Sequence, residues 1–228
     1  MNLLSQIDLF KCLSEREVMR YSSRCFWREY GENELVIDFE DESRDVRFLL
    51  TGRARVILRI ATGKEIILGD MGPNDFVGEI AAIDNHGRAA NVTVLNTSRM
   101  CVMPQSVFLD ILAESPEVSL NIMRVLTARV RKLNMRLTEH CFLQAKHRIC
   151  VEIMRKSRPR LGHEGQRVIS PPPLQREIAE RVGTRREVVS RQISALRKKG
   201  IVEKTPRALV IKDIPAINKI IEEGWEDD

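Results

Sequence analysis

The sequence has no apolar run approaching the roughly 18 residues that a membrane-crossing helix requires, so no such helix is expected. Its first residues, MNLLSQIDLFK, lack a basic stretch followed by an apolar one. No secretory signal is therefore expected, and a bacterial or similar cytoplasm is the default compartment. The five cysteines, Cys12, Cys25, Cys101, Cys141 and Cys150, form no CxxC pair, and the four histidines form no HExxH motif. That scatter argues against a disulfide framework, an iron–sulfur cluster and a zinc site, and leaves buried thiols as the expectation. No P-loop, catalytic carboxylate pair or nucleophile elbow occurs, which argues against a nucleotide-dependent enzyme.

What the chain does have is 228 residues, 43% of them hydrophobic and 30% charged, which suits one large or two modest globular domains. The net charge of +5 is unevenly spread. Residues 155–212 hold 16 Lys and Arg against 5 Asp and Glu, leaving 21 basic and 27 acidic residues elsewhere. A basic segment on a mildly acidic remainder is the electrostatic footprint of a nucleic-acid module joined to something else. An architectural DNA protein without a ligand would not need so large an acidic domain.

The local patterns divide the chain further. Ser14-Glu15-Arg16-Glu17 is a capping box that should open a short helix to about Ser23. From about Arg28 to Val107, short runs rich in Val, Ile and Leu recur, such as Phe48-Leu49-Leu50, Ala54–Ile60 and Glu65–Leu68. Thr51-Gly52, Thr62-Gly63, Gly69, the stretch from Met71 to Asp75 and Gly87 punctuate them. This predicts an antiparallel sandwich or barrel. After Pro104 the period becomes helical. Met123, Leu126, Val130, Leu133 and Leu137 are spaced 3, 4, 3, 4, an a/d seam on a helix from about Pro116 to Leu143. So narrow a stripe on a helix about 40 Å long predicts pairing with a second copy about a two-fold axis. The alternative is packing against its own domain.

Ser157–Pro173 reads as a loop. Leu174–Arg181 and Arg185–Lys199 read as two helices around Val182-Gly183-Thr184, and Ile201–Glu203 and Ala208–Ile211 as a hairpin. Together these describe a winged helix-turn-helix. Thr184 and Glu187 form a second potential capping box. Val189, Ile193 and Leu196 define a buried face, with Arg186, Glu187, Ser190, Arg191 and Ser194 turned away from it. Arginine can contact guanine bidentately and glutamate can accept from cytosine. Lys198, Lys199, Lys204 and Arg207 suit phosphates, which position without specifying.

In the β region, Gly78-Glu79 opens a helical turn, and Arg88-Ala89-Ala90 begins nine residues after the acid. A carboxylate can accept from a ribose hydroxyl, a guanidinium can clamp a phosphate, and small residues let backbone amides approach it. The same Glu and Arg could equally be a structural ion pair.

The segment from Phe76 to Val92 resembles the phosphate-binding cassette of cyclic-nucleotide-binding domains, with pattern GE(L/I)…R(S/A/T)A. With Gly183–Arg191, which is similar to the recognition-helix motif G(C/T)SRExxxR, the chain resembles the cyclic-AMP receptor protein/FNR family of transcription regulators from about residue 8 to 222. His147-Arg148-Ile149 falls at that family's turn into its second domain. The resemblance implies an α+β fold: a β-roll nucleotide domain (1–115), a dimerisation helix (116–143) and a winged helix-turn-helix domain (144–228). It implies that Glu79 binds the ribose 2′-hydroxyl and Arg88 the cyclic phosphate, with Gly78, Ile80, Ala89 and Ala90 alongside. Leu133 and Asn134 match positions that reach the purine. Thr184, Arg185, Arg186, Glu187, Ser190, Arg191, Lys199 and Lys204 would contact DNA.

The implied ligand is cyclic AMP or cyclic GMP, with no further cofactor and no metal. Ala89 stands where many bacterial members have Ser, and the absence of Thr there favours cyclic AMP. Asn134 could pair with adenine N6 or guanine O6, so the base stays open. A haem-sensing variant would need an axial ligand near the cassette, where only His86 lies close. Implied partners are palindromic double-stranded DNA with TGTGA-like half-sites, a second copy of the chain and RNA polymerase, with no membrane.

Overall fold

The computed structural model describes residues 3–59 and 63–226. The expected strand end at Ile60, the turn residue Thr62 and the two chain ends lie outside them. The chain divides into two compact units between Val130 and Arg131.

In the first unit, single turns at Leu3–Gln6 and Asp8–Phe10 precede helix α1 (Glu15–Ser22). The expected capping box opens α1: the Ser14 amide donates to the Glu17 carboxylate at 2.8 Å, and the Glu17 amide donates back to the Ser14 hydroxyl. Strands β1 (Phe26–Tyr30), β2 (Leu35–Ile37), β3 (Val46–Thr51), β4 (Ala54–Arg59), β5 (Glu65–Met71) and β6 (Phe76–Val77) follow. Helix α2 (Glu79–Asp84) separates them from β7 (Asn91–Val94) and β8 (Ser98–Met103). They form two antiparallel four-stranded sheets, β1-β8-β3-β6 and β2-β7-β4-β5.

Alternation along β3 fixes what each face meets. Val46 and Phe48 point to the core made with α1, helix α3 (Gln105–Glu114) and the start of helix α4 (Pro116–Phe142). There Phe48 meets Phe10 edge-on at 5.0 Å, and Phe76 at 5.6 Å. Leu49 points the other way, into the core between the sheets with Tyr30, Met100, Ala54, Val92 and Val94. Each fully buried side chain of this size contributes about 1.5–3 kcal/mol.

Helix α4 starts with proline at its first position, where the missing amide costs nothing. Val118 and Ile122 are buried, and Leu126 packs on the same core. The other seam positions do not: Met123 and Val130 are exposed, and Leu133 and Leu137 are 52% and 63% exposed.

The second unit comprises the rest of α4 and helix α5 (Ala145–Lys156), β9 (Arg158–Pro159), β10 (Arg167–Ile169), helix α6 (Gln175–Val182) and helix α7 (Arg186–Lys198). Strands β11 (Val202–Lys204) and β12 (Leu209–Ile211) and helix α8 (Ile214–Glu226) complete it. The expected turn near His147 is tied down by Arg148, which donates to the Leu143 carbonyl at 2.6 Å and the Val182 carbonyl at 3.1 Å.

Three expectations need correcting. The stretch 157–173 is not simply a loop: β9 pairs with β10, and β10 pairs with β12, so the wing is a four-stranded sheet, β11-β12-β10-β9. Thr184 is not a helix cap. Arg185 is the N-cap, without a side-chain cap bond, because the Thr184 amide closes the end of α6 on the Ala179 carbonyl at 3.0 Å. The thiols are not all buried: Cys25, Cys101 and Cys150 are, but Cys12, in a turn before α1, and Cys141, near the end of α4, are exposed.

Candidate functional site

Two surfaces carry the sequence-selected residues, one in each unit. In the first, Gly78 caps α2 with φ 93°, a left-handed conformation that side chains disfavour. A Cβ there would lie 2.5 Å from the Asp45 carbonyl oxygen and 2.6 Å from Nη1 of Arg88. Glycine is thus required both for the turn and for the approach of Arg88.

Glu79 and Arg88 are 2% and 3% exposed, yet they are not each other's hydrogen-bond partners. Glu79 Oε1 accepts from Nη1 of Arg129 at 2.7 Å. Arg129 also donates to the Phe76 carbonyl at 2.7 Å and lies over the Phe76 ring. Glu79 Oε2 is buried without a partner. Burial pushes the Glu79 carboxyl above its ordinary range, and the positive charges of Arg129 and Arg88 only partly offset this.

Arg88 is held by backbone and hydroxyl oxygens. Its Nη1 donates to the carbonyls of Asp45 (2.9 Å) and Gly78 (3.4 Å), and its Nη2 to Ser43 Oγ at 2.7 Å. Its Nε is buried without a partner. Burial first, and the neighbouring Arg47 second, disfavour its charge. An anion would relieve both effects. The cassette therefore presents an unused acceptor on Glu79 and an unused donor on Arg88, the pair needed for a hydroxyl and a phosphate.

Of the remaining cassette residues, Ile80 and Ala89 are exposed and Ala90 is half-buried. His86 lies in the exposed loop and bonds to the Asp84 carbonyl at 2.8 Å. Leu133 and Asn134 are both exposed on α4, within the second unit. Arg129 and Ser43 were not anticipated. Ser43 sits in an irregular segment, and Arg129 is separated from Glu79 by 50 residues, so no local spacing marks either.

In the second unit, α6 ends at Gly183 (φ 62°), and α7 begins two residues beyond Thr184. Val189, Ile193 and Leu196 are buried as their spacing requires. Arg185, Arg186, Glu187 and Arg191 are exposed and Ser190 is half-buried. Lys199, at the far end of α7, and Lys204, on the wing, are also exposed. Pro172, Leu174, Arg186 and Lys204 line one concave surface. Among the described residues Arg186, Arg191, Lys199 and Lys204 form no ion pair, so their charges are available to a polyanion.

Comparison with known proteins matches these two surfaces separately. A model of the cyclic nucleotide-binding domain matches residues 27–115, and a model of the Crp-like helix-turn-helix domain matches residues 147–220. The CRP-like cAMP-activated global transcriptional regulator of Mycobacterium tuberculosis is 26% identical over 166 residues, which are 72% of this chain and 74% of that protein. The cyclic AMP receptor protein of Thermus thermophilus is 24% identical over 216 residues, 93% of this chain and 95% of that one. Two solved structures share the fold. A CooA mutant from Carboxydothermus hydrogenoformans has TM-score 0.75 at 21% identity, covering 98% of this chain and 96% of its own. The c-di-GMP responsive regulator CLP of Xanthomonas campestris has TM-score 0.75 at 18% identity, covering 87% and 99%.

Proposed function

The chain belongs to the cyclic-AMP receptor protein/FNR family of transcription regulators, and on that premise we propose that it acts as a homodimer switched by cyclic AMP, with cyclic GMP as the weaker effector. It is a DNA-binding regulator with a cyclic-nucleotide-binding domain, and not an enzyme. The observation that carries the effector reading is the buried pair of unused groups, Glu79 Oε2 and Arg88 Nε. A ribose 2′-hydroxyl would donate to the first, and a cyclic phosphate would accept from the second. Gly78, Ile80, Ala89 and Ala90 would complete the cassette, and the family resemblance would give Leu133 and Asn134 the purine, with Asn134 reading its edge.

The seam on α4 supports the dimer. Met123, Val130, Leu133 and Leu137 are apolar and exposed on one face of a helix that needs a partner. The working division remains 1–115 for ligand, 116–143 for dimerisation and 144–228 for DNA. Nucleotide would bias the orientation of the two DNA-binding units, a shift between populations already present. In the competent state the recognition helices would be about 34 Å apart, one turn of DNA. Arg186, Glu187 and Arg191 would read TGTGA-like half-sites, with Ser190 beside them. Thr184, Arg185, Lys199 and Lys204 would hold phosphates, and RNA polymerase is the expected further partner.

Titration calorimetry of the full chain with cyclic AMP and cyclic GMP tests the effector. Tighter binding of cyclic AMP, lost in Arg88→Met, is the expected result. Heatless titrations with both nucleotides would overturn the effector reading while leaving DNA binding intact.

A further inference from the structure

Arg47 is a charged residue in a position built for an apolar one. It lies in β3 between Val46 and Phe48, both fully buried, and is itself only 8% exposed. By strand alternation its side chain leaves the face that Val46 and Phe48 share and takes the face of Leu49, which packs between the sheets. In the sheet register Arg47 is paired with Val77, the residue before Gly78 and two before Glu79. Its strand therefore runs directly beside the entry to the cassette.

The guanidinium has no partner that explains it. Its Nε and Nη1 are buried without a hydrogen bond, and Arg47 makes no ion pair among the described residues. Of the nearby carboxylates, Asp41 is held below its usual range by its bonds from Ser43 and then by the charges of Arg88 and Arg47, but it makes no hydrogen bond to Arg47 Nε or Nη1. Asp41 accepts from the amide and hydroxyl of Ser43, both at 2.8 Å. Asp45 offers its backbone carbonyl to Arg88. Meanwhile Arg47 stands close enough to Arg88 to disfavour its charge. Two buried like charges near one another, each with unused N–H groups, are costly. The arrangement becomes favourable when an anion with several charged oxygens enters between them.

We propose that Arg47 is a second ligand-binding guanidinium, acting with Arg88 on the effector's phosphate. This rests on the cassette reading above and adds a residue to it. A cyclic phosphodiester has two terminal oxygens that share one charge. Arg88 Nε and the paired Nε and Nη1 of Arg47 offer donors for both. Ala89 offers no hydroxyl to the phosphate, so a further donor from β3 is chemically apt. The same pairing gives the pocket a preference for phosphate-bearing ligands over neutral ones of the same shape.

The test compares full-length wild type, Arg47→Met and Arg88→Met for cyclic AMP binding by calorimetry, for heat stability without ligand, and for stabilisation by inorganic phosphate. Methionine keeps an unbranched chain about the length of arginine's stem and removes the charge. Arg47→Met should weaken cyclic AMP binding about 10-fold or more, the loss expected for a charge-assisted bond. Its ligand-free stability should be equal to or above wild type, because an unpartnered buried charge has gone. A merely structural arginine would instead lower heat stability when removed, and that result overturns the proposal. Equal affinity in wild type and Arg47→Met, with binding lost in Arg88→Met, overturns it too and leaves the cassette reading standing. If wild type binds no cyclic nucleotide, the cassette reading falls. Stabilisation by phosphate that depends on Arg47 would then still uphold the anion seat, and its absence would remove it.

Discussion

Replacing Gly78 by alanine should injure the fold and the ligand site together. Two costs arise at one methyl group. The first is conformational: at φ 93° a residue with a Cβ is strained, typically by about 1–3 kcal/mol. The second is steric. The new carbon would lie 2.5 Å from the Asp45 carbonyl oxygen, which is backbone, and 2.6 Å from Nη1 of Arg88. The arginine cannot swing aside freely, because three hydrogen bonds hold it. Overpacking of this kind costs about 1–3 kcal/mol, so Gly78→Ala should destabilise the first unit by about 2–6 kcal/mol. Urea unfolding of the full chain, followed by fluorescence of Trp27 in that unit, would show an earlier transition with the same slope. Gly87→Ala is the matched control. Gly87 lies in the same cassette, has no positive φ, and has nothing within 4 Å of its would-be Cβ. Its stability should stay within about 0.5 kcal/mol of wild type. Cyclic AMP binding should fall in Gly78→Ala through the displaced Arg88. An unshifted transition in Gly78→Ala, or equal losses in both variants, would refute the reasoning.

The remaining expectations follow from the same geometry. Because burial raises the Glu79 pKa, the folded protein holds that proton at pH values where the unfolded chain has released it. Stability without ligand should therefore fall as pH rises from the ordinary carboxylate range through the raised value. Glu79→Gln should flatten that contribution in paired urea titrations; identical pH slopes would count against it. Arg191→Ala should cost about 1–3 kcal/mol of specific DNA binding and relax preference at one base pair. Lys199→Ala should instead weaken binding to all sequences alike and make the salt dependence shallower. Competition binding over a salt series separates the two. The double substitution Val130→Glu and Leu137→Glu should turn a dimer into a folded monomer in sedimentation, since both residues are exposed within one chain. A dimer that survives it would place the interface elsewhere.

What could be read from the sequence was what depends on neighbours along the chain. The Ser14–Glu17 cap, the glycine turn before Glu79 and the buried face of Val189, Ile193 and Leu196 all follow from spacings of a few residues. The dense turns between β-rich runs likewise announced the two sheets. What escaped depends on distance. Helix α8 has Ile214, Ile217, Ile220 and Ile221 at helical spacing, but its burial against the second core could not be read locally. The pairing of β9 and β10 joins segments too short to show alternation. Thr184 had the residue types of a cap, and the competing demand on its amide came from the preceding helix.

The site shows the same division more sharply. Glu79 and Arg88 were visible because one short segment carries both, and a Glu–Arg ion pair was as good a reading as a ligand site. In the structure the two are not each other's hydrogen-bond partners: Glu79 is bonded to Arg129 and Arg88 to carbonyl and hydroxyl oxygens, leaving one buried polar atom on each without a bond. A structural ion pair would have consumed both charges on each other. In a folded core an unsatisfied acceptor and donor are both costly. Their coexistence beside a left-handed glycine, with Nε and Nη1 of Arg47 also unbonded in the adjoining strand, is the reason a polar, anionic guest is proposed there rather than a salt bridge.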